Sequence, residues 1–137
     1  MSDQPLKRIL YVDDDDDIRM VAVFALEVVG GFEVAACGSG QDGLARAAEF
    51  DPQLLLLDVM MPEMDGPAAL AAFRRQPATA TTPAIFMTAK VQPAEVERLR
   101  ALGAIDVIAK PFDPMQLSNT IRAVWQKAAD RFNDAAP

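Results

Sequence analysis

Leu54-Leu55-Leu56-Leu57-Asp58, followed by Val59-Met60-Met61-Pro62, decides how this chain is read. Four consecutive leucines without alternation predict a strand buried on both faces, as in a parallel sheet covered by helices. Asp51-Pro52 before the run and Pro62 after it mark its ends. Asp58 is the first polar residue at the C-terminal end of that strand, and in open α/β sheets ligands sit in the crevice beyond such ends. A carboxylate there is either a helix cap or a working group, and the strand alone does not distinguish the two.

Outward from this run, strands and helices alternate. Lys7 to Val12 predicts a first strand with Ile9, Leu10, Tyr11 and Val12 as its buried run, stopped by Asp13-Asp14-Asp15-Asp16-Asp17. From Asp16 to Val29 the apolar residues Ile18, Val21, Ala22, Ala25, Val28 and Val29 recur at helical spacing. Acidic residues open that helix and Gly30-Gly31 closes it. Phe32 to Ala36 reads as a strand and Gly40 to Phe50 as a helix, ahead of the leucine run. Asp65-Gly66-Pro67 turns into a helix over Ala68 to Arg75, with a polar loop from Gln76 to Pro83. Ala84 to Met87 is a strand ending at Thr88, Pro93 to Ala101 a helix, and Ile105 to Ala109 a strand ending at Lys110-Pro111. Pro114 to Ala129 is a last helix with Leu117, Ile121 and Val124/Trp125 inward, and residues after Asp130 read as a tail. Five strands alternating with five helices predict an α/β fold: a doubly wound, five-stranded parallel sheet in a three-layer sandwich.

Composition narrows the function. The chain has 137 residues, 51% of them apolar, enough for one domain with a real core. Its net charge of −7 argues against direct nucleic-acid binding. Cys37 is the only cysteine, so no disulfide framework is expected and a reducing, cytoplasmic setting is the default. Histidine is absent, which excludes histidine acid/base chemistry, histidine metal sites and a phosphohistidine carrier. The basic-apolar stretch from Leu6 to Val12 runs directly into five aspartates without a small-residue cleavage site, so no leader is expected. No uncharged apolar run approaches a membrane span.

If the sheet is parallel, four strand ends bring Asp13 and Asp14, Asp58, Thr88 and Lys110 to one rim. Carboxylates about 5 Å apart repel by roughly 3 kcal/mol per pair at an effective dielectric near 20. A cation is what would hold three of them together. Hard oxygen ligands without His or Cys favour Mg²⁺ or Mn²⁺, with room left for waters and a phosphate. Lys110 supplies a point charge and Thr88 a hydroxyl donor, both suited to the oxygens of a transferring phosphoryl group. A carboxylate nucleophile would complete such a set. The alternating Asp13, Asp15 and Asp17 do not make a calcium loop, because Ile18 stands where glycine is needed and Phe24 where glutamate is needed. Asp15, Asp16 and Asp17 read as solvated or helix-capping.

From about Lys7 to Lys127 the chain resembles the receiver domains of two-component response regulators, a flavodoxin-like family. The resemblance rests on Ile9-Leu10-Tyr11-Val12-Asp13-Asp14, Leu57-Asp58-Val59-Met60-Met61-Pro62, Met64-Asp65-Gly66, Thr88-Ala89 and Lys110-Pro111-Phe112, all in order at strand ends. It implies a domain over residues 7–129, between an extension (1–6) and a tail (130–137). It implies that Asp58 is the phosphoacceptor, that Asp14 binds Mg²⁺ directly and Asp13 mainly through water, and that the Met60 carbonyl is a further ligand. Thr88 and Lys110 would contact phosphoryl oxygens, and the Lys110-Pro111 bond would be cis. The implied partners are a sensor histidine kinase or a histidine phosphotransfer protein, and a downstream protein. The implied protein is a stand-alone signalling phosphoacceptor rather than a turnover enzyme, and a monomer or weak dimer.

One position departs from the family. Many receivers carry an aromatic residue three before the lysine, and here it is Val107. A small β-branched side chain cannot make the same large rotation, so Thr88 and the loop to Val91 are expected to carry the signal with Val107 a minor partner. Two other readings compete. A pseudo-receiver that only binds protein is kept open by Val107. A Mg²⁺-dependent aspartyl-phosphate phosphohydrolase would need a second acid two residues after the nucleophile, where Met60 stands.

Overall fold

The computed structural model describes residues 4–135, with side chains through Arg131. Five strands form one parallel sheet in the order β2-β1-β3-β4-β5, where β1 is Arg8–Val12, β2 Glu33–Cys37, β3 Leu54–Asp58, β4 Ala84–Thr88 and β5 Asp106–Ala109. The helices are α1 (Asp16–Phe24), α2 (Gly40–Phe50), α3 (Gly66–Arg74), α4 (Pro93–Ala101) and α5 (Leu117–Ala135). This is the expected doubly wound sandwich. β3 pairs with β1 on one side and β4 on the other, with Leu56 opposite both Tyr11 and Ile85.

Side-chain alternation divides the core into two layers. Ile9, Tyr11, Leu54, Leu56, Ile85 and Met87 face α1 and α5 with Leu117, Ile121 and Trp125. Leu10, Val12, Leu55, Leu57 and Phe86 face α2, α3 and α4, meeting Ala47, Phe73 and Leu99. All four leucines of β3 have no exposed surface. Each contributes about 2 kcal/mol of burial, which is why an unbroken apolar run is stable here and would not be on a one-sided sheet.

The first helix departs from the periodic reading. Its α-helical part ends at Phe24, and Ala25–Val29 forms a π turn, so the residues after Phe24 are rotated off the expected face. Ala22, Ala25 and Leu26 are buried, while Val21, Val28 and Val29 are exposed. Ser118 Oγ donates to the Ala25 carbonyl at 2.8 Å, and the Arg122 guanidinium donates to the Gly30 carbonyl while lying over the Phe32 ring. Both contacts tie α5 to this turn.

The domain edges are corrected as well. The last helix starts at Leu117 rather than Pro114, and it continues to Ala135, so residues 130–135 extend it instead of forming a tail. At the other end Leu6 is buried, Trp125 Nε1 donates to the Gln4 carbonyl at 3.1 Å, and Gln53 Nε2 donates to the Pro5 carbonyl at 3.2 Å. Residues 4–6 are therefore packed on the domain, and residues 1–3 and 136–137 of the expected extension and tail lie outside the described residues. Among the described residues, no helix is long and apolar enough to cross a membrane.

Candidate functional site

Each site residue is delivered by an apolar strand that stops. β1 ends at Val12, and Asp13 follows, held by its own N–H donating to the Cys37 carbonyl at 3.1 Å. Asp15 then caps α1 by accepting from the Asp17 and Ile18 amides at 3.0 Å each. β3 delivers Asp58 as its last residue, and β4 delivers Thr88 as its last residue. Lys110 follows β5, and its N–H donates to the Thr88 carbonyl at 2.9 Å, so the two strand ends share one hydrogen bond. The Lys110-Pro111 peptide is cis.

At the rim between β1 and β3, where the chain reverses its winding direction, the carboxylates of Asp13, Asp14 and Asp58 come within 4.8 Å of one another. Asp13 is fully buried, Asp58 is 4% exposed and Asp14 is open to solvent. Lys110 Nζ donates to Asp58 Oδ1 at 3.1 Å and to Asp13 Oδ2 at 3.3 Å. Burial first, and then the charge of Asp13, push the Asp58 carboxyl above its usual value, while Lys110 opposes them. Burial pulls the Lys110 ammonium down, but the Asp58 hydrogen bond and the two carboxylate charges outweigh it, and the net shift is upward. The site therefore carries more negative charge than its lysine balances. An all-oxygen donor set of this density suits a small hard divalent cation, with Asp14 the carboxylate most open to solvent.

Asp14, Asp15, Ile18, Asp58, Met60, Thr88, Ala89 and Lys110 line a pocket of about 290 Å³ around the carboxylates. An apolar recess formed with Pro111 and Phe112 adjoins it, with Ile18, Ala89 and Lys110 common to both. The Thr88 hydroxyl lies at the pocket wall and accepts from the Lys90 amide at 3.1 Å. Met60 sits on the pocket's edge with its side chain exposed, and its loop is closed by Gly66 N–H donating to the Val59 carbonyl at 2.9 Å. A side chain at Gly66 would stand 2.5 Å from the Asp58 carbonyl, so only glycine lets α3 start this close to β3. Val107 does not line the pocket: it is half-buried and packs in the layer shared with α4.

Two side chains at this site escape a reading confined to strand-end polar groups. Arg19 donates to the Asp13 carbonyl at 2.7 Å and pairs with Asp16 at 2.5 Å. Tyr11, taken from sequence as core, donates its hydroxyl to Asp13 Oδ2 at 2.8 Å. The signal for Tyr11 was present: residues two apart on a strand share a face, so Tyr11 and Asp13 point the same way. Burial, then the charge of Asp13, hold its phenol well above the ordinary tyrosine range, so it remains a donor.

Residues 9–122 match the family model described as response regulator receiver domain. The chain is 39% identical over 124 residues to the regulatory protein AtoC of Escherichia coli, covering 88% of this chain and 26% of that protein. It is 35% identical to a probable chemotaxis protein CheY of Rhizobium etli, covering 86% of this chain and 92% of that one. Among solved structures, the chemotaxis protein CheY4 of Vibrio cholerae superposes with a TM-score of 0.79 at 31% identity, covering 87% of this chain and 98% of that chain. The chain spans about half the length of several other curated relatives, which are transcriptional regulators.

Proposed function

The chain belongs to the response regulator receiver family, and from that membership we propose that it takes a phosphoryl group onto Asp58 from the phosphohistidine of a sensor kinase or phosphotransfer protein. The observation that carries this reading is the pairing of a buried Asp58 with Lys110, beside Asp13 and Asp14, at an open pocket on the C-terminal rim of the sheet.

In the proposed step an Asp58 carboxylate oxygen attacks phosphorus, the phosphorus–nitrogen bond to the donor breaks, and its electron pair stays on the donor imidazole. The product is an acyl phosphate on Asp58. Lys110 turns its ammonium from the Asp13 and Asp58 oxygens toward a phosphoryl oxygen, and the Thr88 hydroxyl donates to another. Asp13, Asp14, Asp58 and the Met60 carbonyl would hold Mg²⁺, with Mn²⁺ as a substitute, which when bound neutralises charge on the transferring phosphoryl group. The apolar recess of Ile18, Ala89, Pro111 and Phe112 offers a dry wall against which the donor's ring can pack. The step is single-turnover signalling, not enzymatic turnover of a substrate.

The finer reading is a stand-alone cytoplasmic receiver, a monomer or weak dimer, that signals through a surface change toward a downstream protein or hands the phosphate to another histidine. Net charge −7 supports protein partners over nucleic acid. Val107 favours one rival, a pseudo-receiver that binds protein without phosphorylation.

Intact mass after incubation with acetyl phosphate and Mg²⁺ separates the two. One added phosphoryl group in the parent and none in Asp58→Asn is the expected result. No adduct in either, with Mg²⁺ binding absent, would leave the pseudo-receiver.

A further inference from the structure

Asp13 is the most enclosed group of the site, with no exposed surface. Three protein groups donate to its carboxylate. Oδ1 accepts from the Asp15 amide at 3.0 Å, and Oδ2 accepts from both the Tyr11 hydroxyl at 2.8 Å and Lys110 Nζ at 3.3 Å. Tyr11 reaches this oxygen from below, out of the core layer that packs on α1 and α5. The two donors on Oδ2 differ in what the proposed chemistry asks of them. Lys110 must leave for the phosphoryl group, whereas Tyr11 is fixed in the core.

We propose that Tyr11 is a positioning residue for phosphoryl transfer: its hydroxyl keeps Asp13 oriented and hydrogen-bonded, so that Lys110 is free to leave Asp13 for the incoming phosphoryl group. The inference rests on the receiver reading of Asp58. Without the phenol hydroxyl, Lys110 is the one donor left to this buried carboxylate oxygen among the described residues, and a buried acceptor holds its last donor tightly. The ammonium is then drawn deeper among the carboxylates, where it competes with the divalent cation and is slow to release.

Tyr11→Phe removes only the hydroxyl and keeps the ring that fills the core. The expected result is Mg²⁺ affinity about tenfold weaker and phosphorylation by acetyl phosphate about tenfold slower, the scale of a lost hydrogen bond to a charged group. The amide spectrum should remain that of the folded parent. A hydroxyl with a purely structural role would, on removal, alter thermal stability and leave the Mg²⁺ affinity alone. Tyr11 is also the chain's only tyrosine, so the parent labelled at the tyrosine ζ-carbon gives a single reporter signal. That signal should move when Mg²⁺ saturates the site and again on phosphorylation, a readout that stands even if the variant fails to fold. A parent that binds Mg²⁺ and takes phosphate while its tyrosine signal stays still, or a Tyr11→Phe protein that matches the parent within twofold, overturns the positioning role alone. A parent that does neither overturns the receiver reading, and this inference with it.

Discussion

At the scale of single residues, Asp58 is held in a charge state that the fold does not favour by itself. Burial and the Asp13 charge raise its carboxyl above the ordinary 3.8, with Lys110 opposing. Between that ordinary value and the raised native one, the native state keeps a proton that the unfolded chain has released. Stability without a cation therefore falls as pH rises through that window, and the loss persists at neutral pH. Asp58→Asn removes the charge and keeps the shape. In Mg²⁺-free buffer at pH 7 the variant should melt higher than the parent by about 4 °C, corresponding to about 1 kcal/mol. At pH 4 the difference should narrow, because the parent's carboxyl is then increasingly protonated. Thermal melts of both proteins at the two pH values check this, and a variant that melts lower at pH 7 would show Asp58 to be a net stabilising partner of Lys110.

At the scale of elements, the proposed phosphorylation would act first on the loop after β4. Thr88 is 2% exposed, and its hydroxyl oxygen accepts from the Lys90 amide, whereas Ala89, Lys90 and Val91 are exposed. Turning the hydroxyl toward a phosphoryl group breaks that contact and frees the loop leading into α4. Val107 lies on the neighbouring strand, opposite Phe86, and its side chain is too short to swing between a surface and an interior position as a ring would. Amide spectra with and without beryllofluoride and Mg²⁺ should show the largest changes outside the pocket at residues 89–91 and in the first turn of α4. Changes centred on the Val107 methyls instead would contradict this division of labour.

At the scale of the whole molecule, legibility followed from how a parallel sheet is built. The β3 leucines could be read because burial on both faces removes the alternation that other sheets show. Asp13, Asp14, Asp58, Thr88 and Lys110 could be read together because parallel strands send all their C-terminal ends to one rim. The π turn after α1 could not, since Val28 and Val29 continue an apolar pattern that the inserted residue rotates outward. Nor could the end of α5, where the tail composition hides a helix carried on from packed turns at Val124, Ala128 and Ala129. Tyr11 was hidden by its own ring, which satisfies every expectation of a core residue while its hydroxyl serves the site. Whether Asp58 carries the phosphoryl group can be read by borohydride reduction, which converts an aspartyl phosphate to homoserine that peptide mass can locate. After phosphorylation with acetyl phosphate and Mg²⁺, homoserine at position 58 alone is the predicted result; homoserine at position 13 or 14, or at none, would contradict the account.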